Sequence, residues 1–164
     1  MSKGPPPPTD LQAALGRVPG GLFVLAVRDN DGLPGGMLAS WVQQAGLDPP
    51  MITLTLPRER MVEELVRRSG RFVLNQIAEG DKTLLRRFAR GSVPDVGGFD
   101  GLALHFDDPA GPILADALSF MILEPAGLLA AGDHVVFLAR VVHGGLIQPD
   151  KKPRIHVRRD GSHY

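Results

Sequence analysis

Leu22 to Asp29 reads LFVLAVRD, and Asp29 to Gly32 reads DNDG. The first stretch is apolar and rich in strand formers, while the second is a turn signal. Together they predict a β-hairpin whose returning strand covers Gly36 to Gln44. Outward from there, AGLDPP (45–50) breaks the returning strand, and MITLTL, Met51 to Leu56, resumes extended structure. RFVLNQI (Arg71 to Ile77) reads as another strand. LALHF, ALSFMILEP and HVVFLARVV follow, and a last strand falls near RIHVR.

Helices are fewer. Thr9 or Asp10 can cap a short one with Leu11, Ala14 and Leu15 on one face and Gly16 at its end. Pro57 is placed to open a second, with Met61, Val62, Leu65 and Val66 as an apolar stripe and Gly70 as its stop. Asp81 caps a third, with Leu84, Leu85 and Phe88 inward and Gly91 beyond its end; residues 91–101 read as loop. There is no regular β-α-β-α alternation, which argues against a doubly wound sheet. The expected class is mainly β (α+β). A closed or split antiparallel barrel is the natural architecture, because closing a sheet hides its edges.

The chain has 164 residues, so one domain is expected over 9–164, preceded by a proline-rich arm at 1–8. Pro5 to Pro8 favour polyproline II, which suits a frayed terminus or a tail read by another domain. Lysine plus arginine number 18, as do aspartate plus glutamate, so charge supplies no general pull toward nucleic acid or anionic membrane. With no cysteine, disulfides, thiolate metal sites, iron–sulfur clusters and cysteine nucleophiles are excluded. No apolar run approaches the roughly 20 residues of a membrane span. MSKGPPPPTD lacks the apolar segment of a secretory signal, so a soluble cytoplasmic protein is the expectation. The 20 glycines and 15 prolines favour many short strands joined by turns.

Several chemistries are absent as motifs. There is no G-x-G-x-x-G, P-loop, G-x-S-x-G or H-E-x-x-H. His105, His134, His143, His156 and His163 do not show the i, i+4 spacing of a helical metal site.

Three regions remain. In GMLASWVQQAGLDPPM (36–51), small residues permit close backbone approach, and Ser40 and Gln43 offer hydrogen bonds. The simpler reading of this stretch is a strand ending in a proline turn, with Trp41 in the core. Arg58 and Arg60 fall in the first turn of the helix expected after Pro57, against the helix dipole, by about 0.3–1 kcal/mol per charge. An anion docked there would explain them; so would two arginines pointing into solvent among Glu59, Glu63 and Glu64. In Gly132-Asp133-His134, Asp133 could orient the imidazole, although a polar hairpin turn is the commoner role of such a triplet. The tail HVRRDGSHY (156–164) reads either as a solvated end or as a strand bringing Arg158 to a phosphate.

In this order the regions resemble the flavin reductase-like, FMN-binding split-barrel family. The segments that carry the resemblance are GMLASWVQQAGLDPPMITLTL, SGRFVLN, FDG, GPILADALSFMIL, GDHVVFLARVVHG and HVRRDGSHY. Within the family the chain looks most like the flavin reductase domain of phototroph flavodiiron proteins or its stand-alone relatives.

The resemblance implies a split antiparallel barrel of FMN-binding type with short peripheral helices, working as a homodimer. It implies a flavin-contacting stretch of Met37, Leu38, Ala39, Ser40, Trp41, Val42 and Gln43. Pro57, Arg58 and Arg60 fall at the family's phosphate region, where relatives often carry Ser or Lys. Asn75, His156, Arg158 and Tyr164 join the cofactor set on the same basis. His134 falls where nicotinamide approaches, and is the one residue assigned to the catalytic step. The implied activity is NAD(P)H:flavin oxidoreduction with FMN, or FAD, and a small-molecule acceptor or redox partner protein. The alternatives are an FMN-binding electron relay with little reductase activity, and a barrel that has lost its flavin.

Overall fold

The computed structural model describes residues 9–90 and 97–161. In chain order the elements are α1 (Asp10–Gly16), β1 (Gly20–Gly21), β2 (Phe23–Arg28), β3 (Pro34–Ala39), β4 (Val42–Leu47), β5 (Pro50–Pro57), α2 (Met61–Ser69) and β6 (Phe72–Gln76). They continue with α3 (Thr83–Phe88), β7 (Leu104–Asp108), β8 (Gly111–Leu114), β9 (Ser119–Ala131), β10 (His134–Leu146) and β11 (Ile155–His156).

Seven strands form one sheet in the order β3-β2-β6-β9-β10-β5-β4. Every neighbouring pair is antiparallel. Its two edge strands, β3 and β4, are consecutive in sequence and joined only through Ser40 and Trp41. A sheet whose edges are tied by two residues must curl until those edges meet. The result is an antiparallel barrel split between β3 and β4, as the strand pattern predicts.

Side-chain parity fills it. Phe23, Leu25 and Val27 of β2 point into the barrel with Leu54 and Leu56 of β5, Leu74 of β6 and Phe137 of β10. Val62 and Val66 of α2 plug the same core. The intervening residues Val24 and Ala26 face outward, where Ile113 and Leu114 of β8 and Leu84 and Phe88 of α3 cover them. That double coverage explains why β2 reads as a continuous apolar run.

The caps follow local rules. Thr9 accepts from the Gln12 amide while Gln12 reaches back to the Thr9 amide, a capping box. Asp81 accepts from the amides of Thr83 (2.9 Å) and Leu84 (3.1 Å). Gly70 ends α2 in the left-handed region at φ 72°, where a side chain would be strained. Leu11 and Leu15 of α1 remain exposed, and Gly91 lies outside the described residues.

Four expectations are corrected. The strand expected over Gly36 to Gln44 breaks at Ser40–Trp41, where the chain crosses from one barrel edge to the other. AGLDPP does not end extended structure, because β4 runs to Leu47 and turns into β5 through Asp48 and Pro49. Pro57 does not open α2; it closes β5 opposite His134, and sheet pairing overrides its local preference for a helix start. Finally, β8 forms in a stretch that carried no strand expectation, because it covers the outer face of β2 and β6. Among the described residues no helix is long and apolar enough to cross a membrane.

Candidate functional site

Ser40 and Trp41 sit at the split. Ser40 is 6 % exposed, and its hydroxyl has no hydrogen-bond partner among the described residues. A buried, unmatched hydroxyl costs about 1–3 kcal/mol, so its retention points to a partner beyond the described residues. Gly20 of β1 lies against the same point, where a Cβ would run into the Ser40 carbonyl oxygen. The Trp41 carbonyl accepts from the Thr55 amide at 2.9 Å, tying the crossing to β5.

β5 leads to the second region. Pro57 pairs with His134, the first residue of β10. The Arg58 amide then donates to the Asp133 carbonyl at 3.0 Å, locking the chain after β5 to the β9–β10 turn. That turn is the two residues Gly132 and Asp133, with Gly132 at φ 63°, as a tight hairpin with Gly at its first central position requires.

His134 is held from two sides. Its Nδ1 is 2.7 Å from the Asp133 carboxylate, and its ring centroid is 4.7 Å from that of Trp41 at an interplanar angle of 39°. The imidazole beside Asp133 holds that carboxyl below its ordinary value, first by the hydrogen bond and then by charge. Asp133 is itself exposed, so this interaction orients the ring rather than stabilising the fold.

The tail supplies the third wall. Residues Ile155 and Gly21, and His156 and Gly20, pair as the β1–β11 ladder. The Arg158 amide donates to the Gly16 carbonyl at 3.1 Å, and the Gly161 amide to the Gln12 carbonyl at 2.7 Å, so α1 seats the tail. Arg158 then lies with its guanidinium carbon 4.9 Å from the Trp41 ring centroid, a cation–π contact. Burial, and then the charges of Arg158 and Arg154, hold the His156 imidazole below the ordinary histidine range.

The three regions therefore converge on Trp41, which is neither fully in the core nor in open solvent. Within the stretch Met37 to Gln43, Ala39 and Val42 are core residues, so their side chains are used in packing and only their backbones are available. Met37 and Leu38 pack against the inner and outer clusters, and Gln43 is exposed on β4. Arg58 and Arg60 are exposed and precede α2 rather than occupying its first turn; Arg60 is its N-cap. Glu59 between them adopts φ 62°.

Asn75 sits on β6. It is fully buried; its amide donates to the Pro112 carbonyl at 3.0 Å and its carbonyl oxygen accepts from the Leu114 amide at 2.9 Å. Its side chain clamps β8 to β6. Tyr164 lies outside the described residues. Two contributors were not anticipated: the Gly20 approach to Ser40, and Arg154. The alternation in RIHVR carries a signal for Arg154, although by itself it specifies only a strand. Among the described residues no group of three or more His, Asp or Glu is placed to hold a metal.

Comparison with known proteins agrees with this geometry. The family model of the flavin reductase like domain matches residues 15–162. Diflavin flavoprotein A 1 of Synechocystis sp. is 32% identical over 157 residues, covering 95% of this chain and 27% of that protein. Putative diflavin flavoprotein A 3 of Nostoc sp. is 34% identical over 156 residues, covering 94% and 27%. The chain thus spans about a quarter of the length of these curated relatives (27%). Among solved structures, the NADH:FAD oxidoreductase SgcE6 of Streptomyces globisporus C-1027 superposes with a TM-score of 0.79 at 23% identity, covering 88% of this chain and 85% of that one. The styrene monooxygenase flavin reductase SMOB of Pseudomonas putida S12 gives 0.77 at 25% identity, covering 91% and 93%. With its split barrel and a matching stretch that takes in the crossing, the hairpin turn and the tail, the chain belongs to the flavin reductase-like domain family.

Proposed function

We propose that the chain binds FMN at the Ser40–Trp41 crossing and catalyses its reduction by NAD(P)H. The observation that carries this is the buried Ser40 hydroxyl without a partner among the described residues, beside the Trp41–His134 pair. A flavin held there would supply a two-electron acceptor for the hydride of a nicotinamide cofactor. The chain's own work is placement. Ser40 offers a hydroxyl, and the backbone from Met37 to Gln43 offers amides and carbonyls to the ring and ribityl chain. Arg58 and Arg60 provide cations for a phosphate. His134 lines the nicotinamide side, its ring fixed by Asp133 and Trp41. Solved relatives support the reading, since one is described in complex with NAD and FAD fragments and another with NADP+.

The working unit is a homodimer. Exposed Leu128, Leu129, Leu138, Val142 and Leu146 on the β9–β10 hairpin support this, because a monomer would leave them in water. A redox partner protein or a small molecule takes the electrons onward.

A second reading is favoured by the relatives' length. A domain amounting to 27% of a diflavin flavoprotein could relay electrons inside a larger assembly with little NAD(P)H activity of its own. The visible spectrum of the protein with FMN, followed by anaerobic addition of NADH or NADPH, separates the two. Bleaching supports the reductase, a flavin band that persists supports the relay, and failure to bind flavin rejects both.

A further inference from the structure

Among the described residues, Glu59 is the one non-glycine with a positive φ, 62°. It takes the second central position of the turn that carries the chain from β5 into α2, a place that suits Gly or Asn. Both sides of it are fixed. Pro57 pairs with His134, and the Arg58 amide donates to the Asp133 carbonyl at 3.0 Å. The Arg60 carbonyl accepts the first bond of α2 from the Glu64 amide at 3.1 Å, and Val62 and Val66 anchor that helix in the core. The conformation of residue 59 is therefore imposed by the structure around it, while its side chain is exposed.

The turn is also unbalanced in charge. The nearby carboxylates of α2 are taken, Glu63 by Arg67 and Glu64 by Arg68, both at 2.5 Å. The Asp133 carboxylate is taken by His134. Neither Arg58 nor Arg60 forms an ion pair among the described residues, although Glu59 stands between them in sequence. Arg60 is moreover the N-cap of α2, where an arginine has no acceptor to offer the helix amides. Three local preferences are thus broken within three residues: the sign of φ, the choice of cap, and the placing of cations at the positive end of a helix. Backbone strain and broken local preferences gather where a site needs them.

We infer that Glu59 is a positioning residue for Arg58 and Arg60: its left-handed backbone folds the turn so that both guanidinium groups serve one phosphate, while its own carboxylate stays off them. This role rests on the reading of Arg58 and Arg60 as the cations of the flavin phosphate, and adds that the backbone of the residue between them sets their geometry. Residue 59 acts only through the φ it tolerates, so Gly and Asn can take its place and Val cannot.

Glu59→Gly, Glu59→Asn, Glu59→Ala and Glu59→Val are compared with the parent chain. All four remove the charge, so differences among them report the backbone. FMN and riboflavin, which differ by the phosphate alone, are titrated by flavin fluorescence, and thermal melting checks the fold. In the parent, FMN binds about tenfold more tightly than riboflavin, as one charge-assisted contact gives. Glu59→Gly and Glu59→Asn keep that ratio or raise it, since a negative charge has left the turn. Glu59→Val brings the ratio to within about twofold of unity, because a β-branched side chain forces the turn open. Glu59→Ala falls between, and decides the matter if Glu59→Val does not fold. Riboflavin affinity is unchanged throughout. A turn that only joins β5 to α2 would shift the melting temperature across the series and leave the parent ratio intact in Glu59→Val and Glu59→Ala, which overturns the positioning role. Loss of the ratio in Glu59→Gly and Glu59→Asn overturns it too, by making the carboxylate the determinant. Equal binding of FMN and riboflavin by the parent chain rejects the phosphate reading itself, and the positioning role falls with it.

Discussion

The Trp41 ring lies 4.7 Å from the His134 imidazole, joining the β3–β4 crossing to the start of β10. Neither residue's neighbours in sequence specify this contact; barrel closure makes it. His134→Ala removes the ring that fixes the Trp41 side and the Asp133 hydrogen bond. The fold tolerates it, since the pair is peripheral and worth about 0.5–1.5 kcal/mol. Trp41 is the only tryptophan, so its emission should shift directly. Stopped-flow reduction of FMN should slow about tenfold, with KM for NADPH raised. An unchanged rate and KM for NADH and NADPH would remove His134 from the site.

Ser40→Ala separates folding from binding. Without ligand the hydroxyl has no partner among the described residues, so its removal leaves the melting temperature equal or higher. With FMN the same change should weaken affinity about tenfold. Differential scanning fluorimetry with and without FMN reads both. A destabilised apoprotein with unchanged FMN affinity would mean that Ser40 serves packing alone.

Asn75→Ala should do the opposite. It leaves the Pro112 carbonyl and the Leu114 amide without partners in a buried position. Each such group costs about 1–3 kcal/mol, so the midpoint of urea unfolding should drop markedly. FMN affinity measured on the folded fraction should stay within about twofold, as a clamp between β6 and β8 requires.

His156 carries a pH prediction. Its folded pKa lies below its unfolded value, with burial the first cause and Arg158 and Arg154 the next. The unfolded chain then binds the proton first as pH falls. Stability therefore rises with pH across the window between the two values, and is lost as pH drops below about 6.5 toward the folded pKa. NMR titration should show one histidine titrating low, and Arg158→Ala should move it upward. A His156 titrating at or above the ordinary histidine value would refute the burial and charge arrangement on the tail.

Gly16→Ala tests the seat of the tail. A Cβ there would lie 2.7 Å from the Asp160 Cα, which is backbone and cannot rotate away. The tail must shift, and the Arg158–Trp41 stack with it. Trp41 emission should change as it does in Arg158→Ala, while the barrel's unfolding transition stays cooperative. Identical emission in Gly16→Ala and the parent would show that α1 does not position Arg158.

Local chemistry settled a good part of this protein in advance. The LFVLAVRD–DNDG hairpin, the cap at Asp81 and the stop at Gly70 each depend on residues within a few positions of one another. The family resemblance likewise rested on segments in fixed order. The start of α2 did not follow local rules, because Pro57 found a sheet partner in His134, far along the chain, and that pairing outweighed its helix-start preference. Asn75 entered the cofactor set through the resemblance alone, and its burial could not be read locally, since β8 folds over it from a distant stretch. The site belongs wholly to tertiary structure. Ser40 and Trp41 read as mid-strand residues until closure made them the bridge between two barrel edges. Only that closure brings His134 and Arg158 against Trp41, with Asp133 beside His134, because contacts across a barrel are set by strand order and register, which no local window contains.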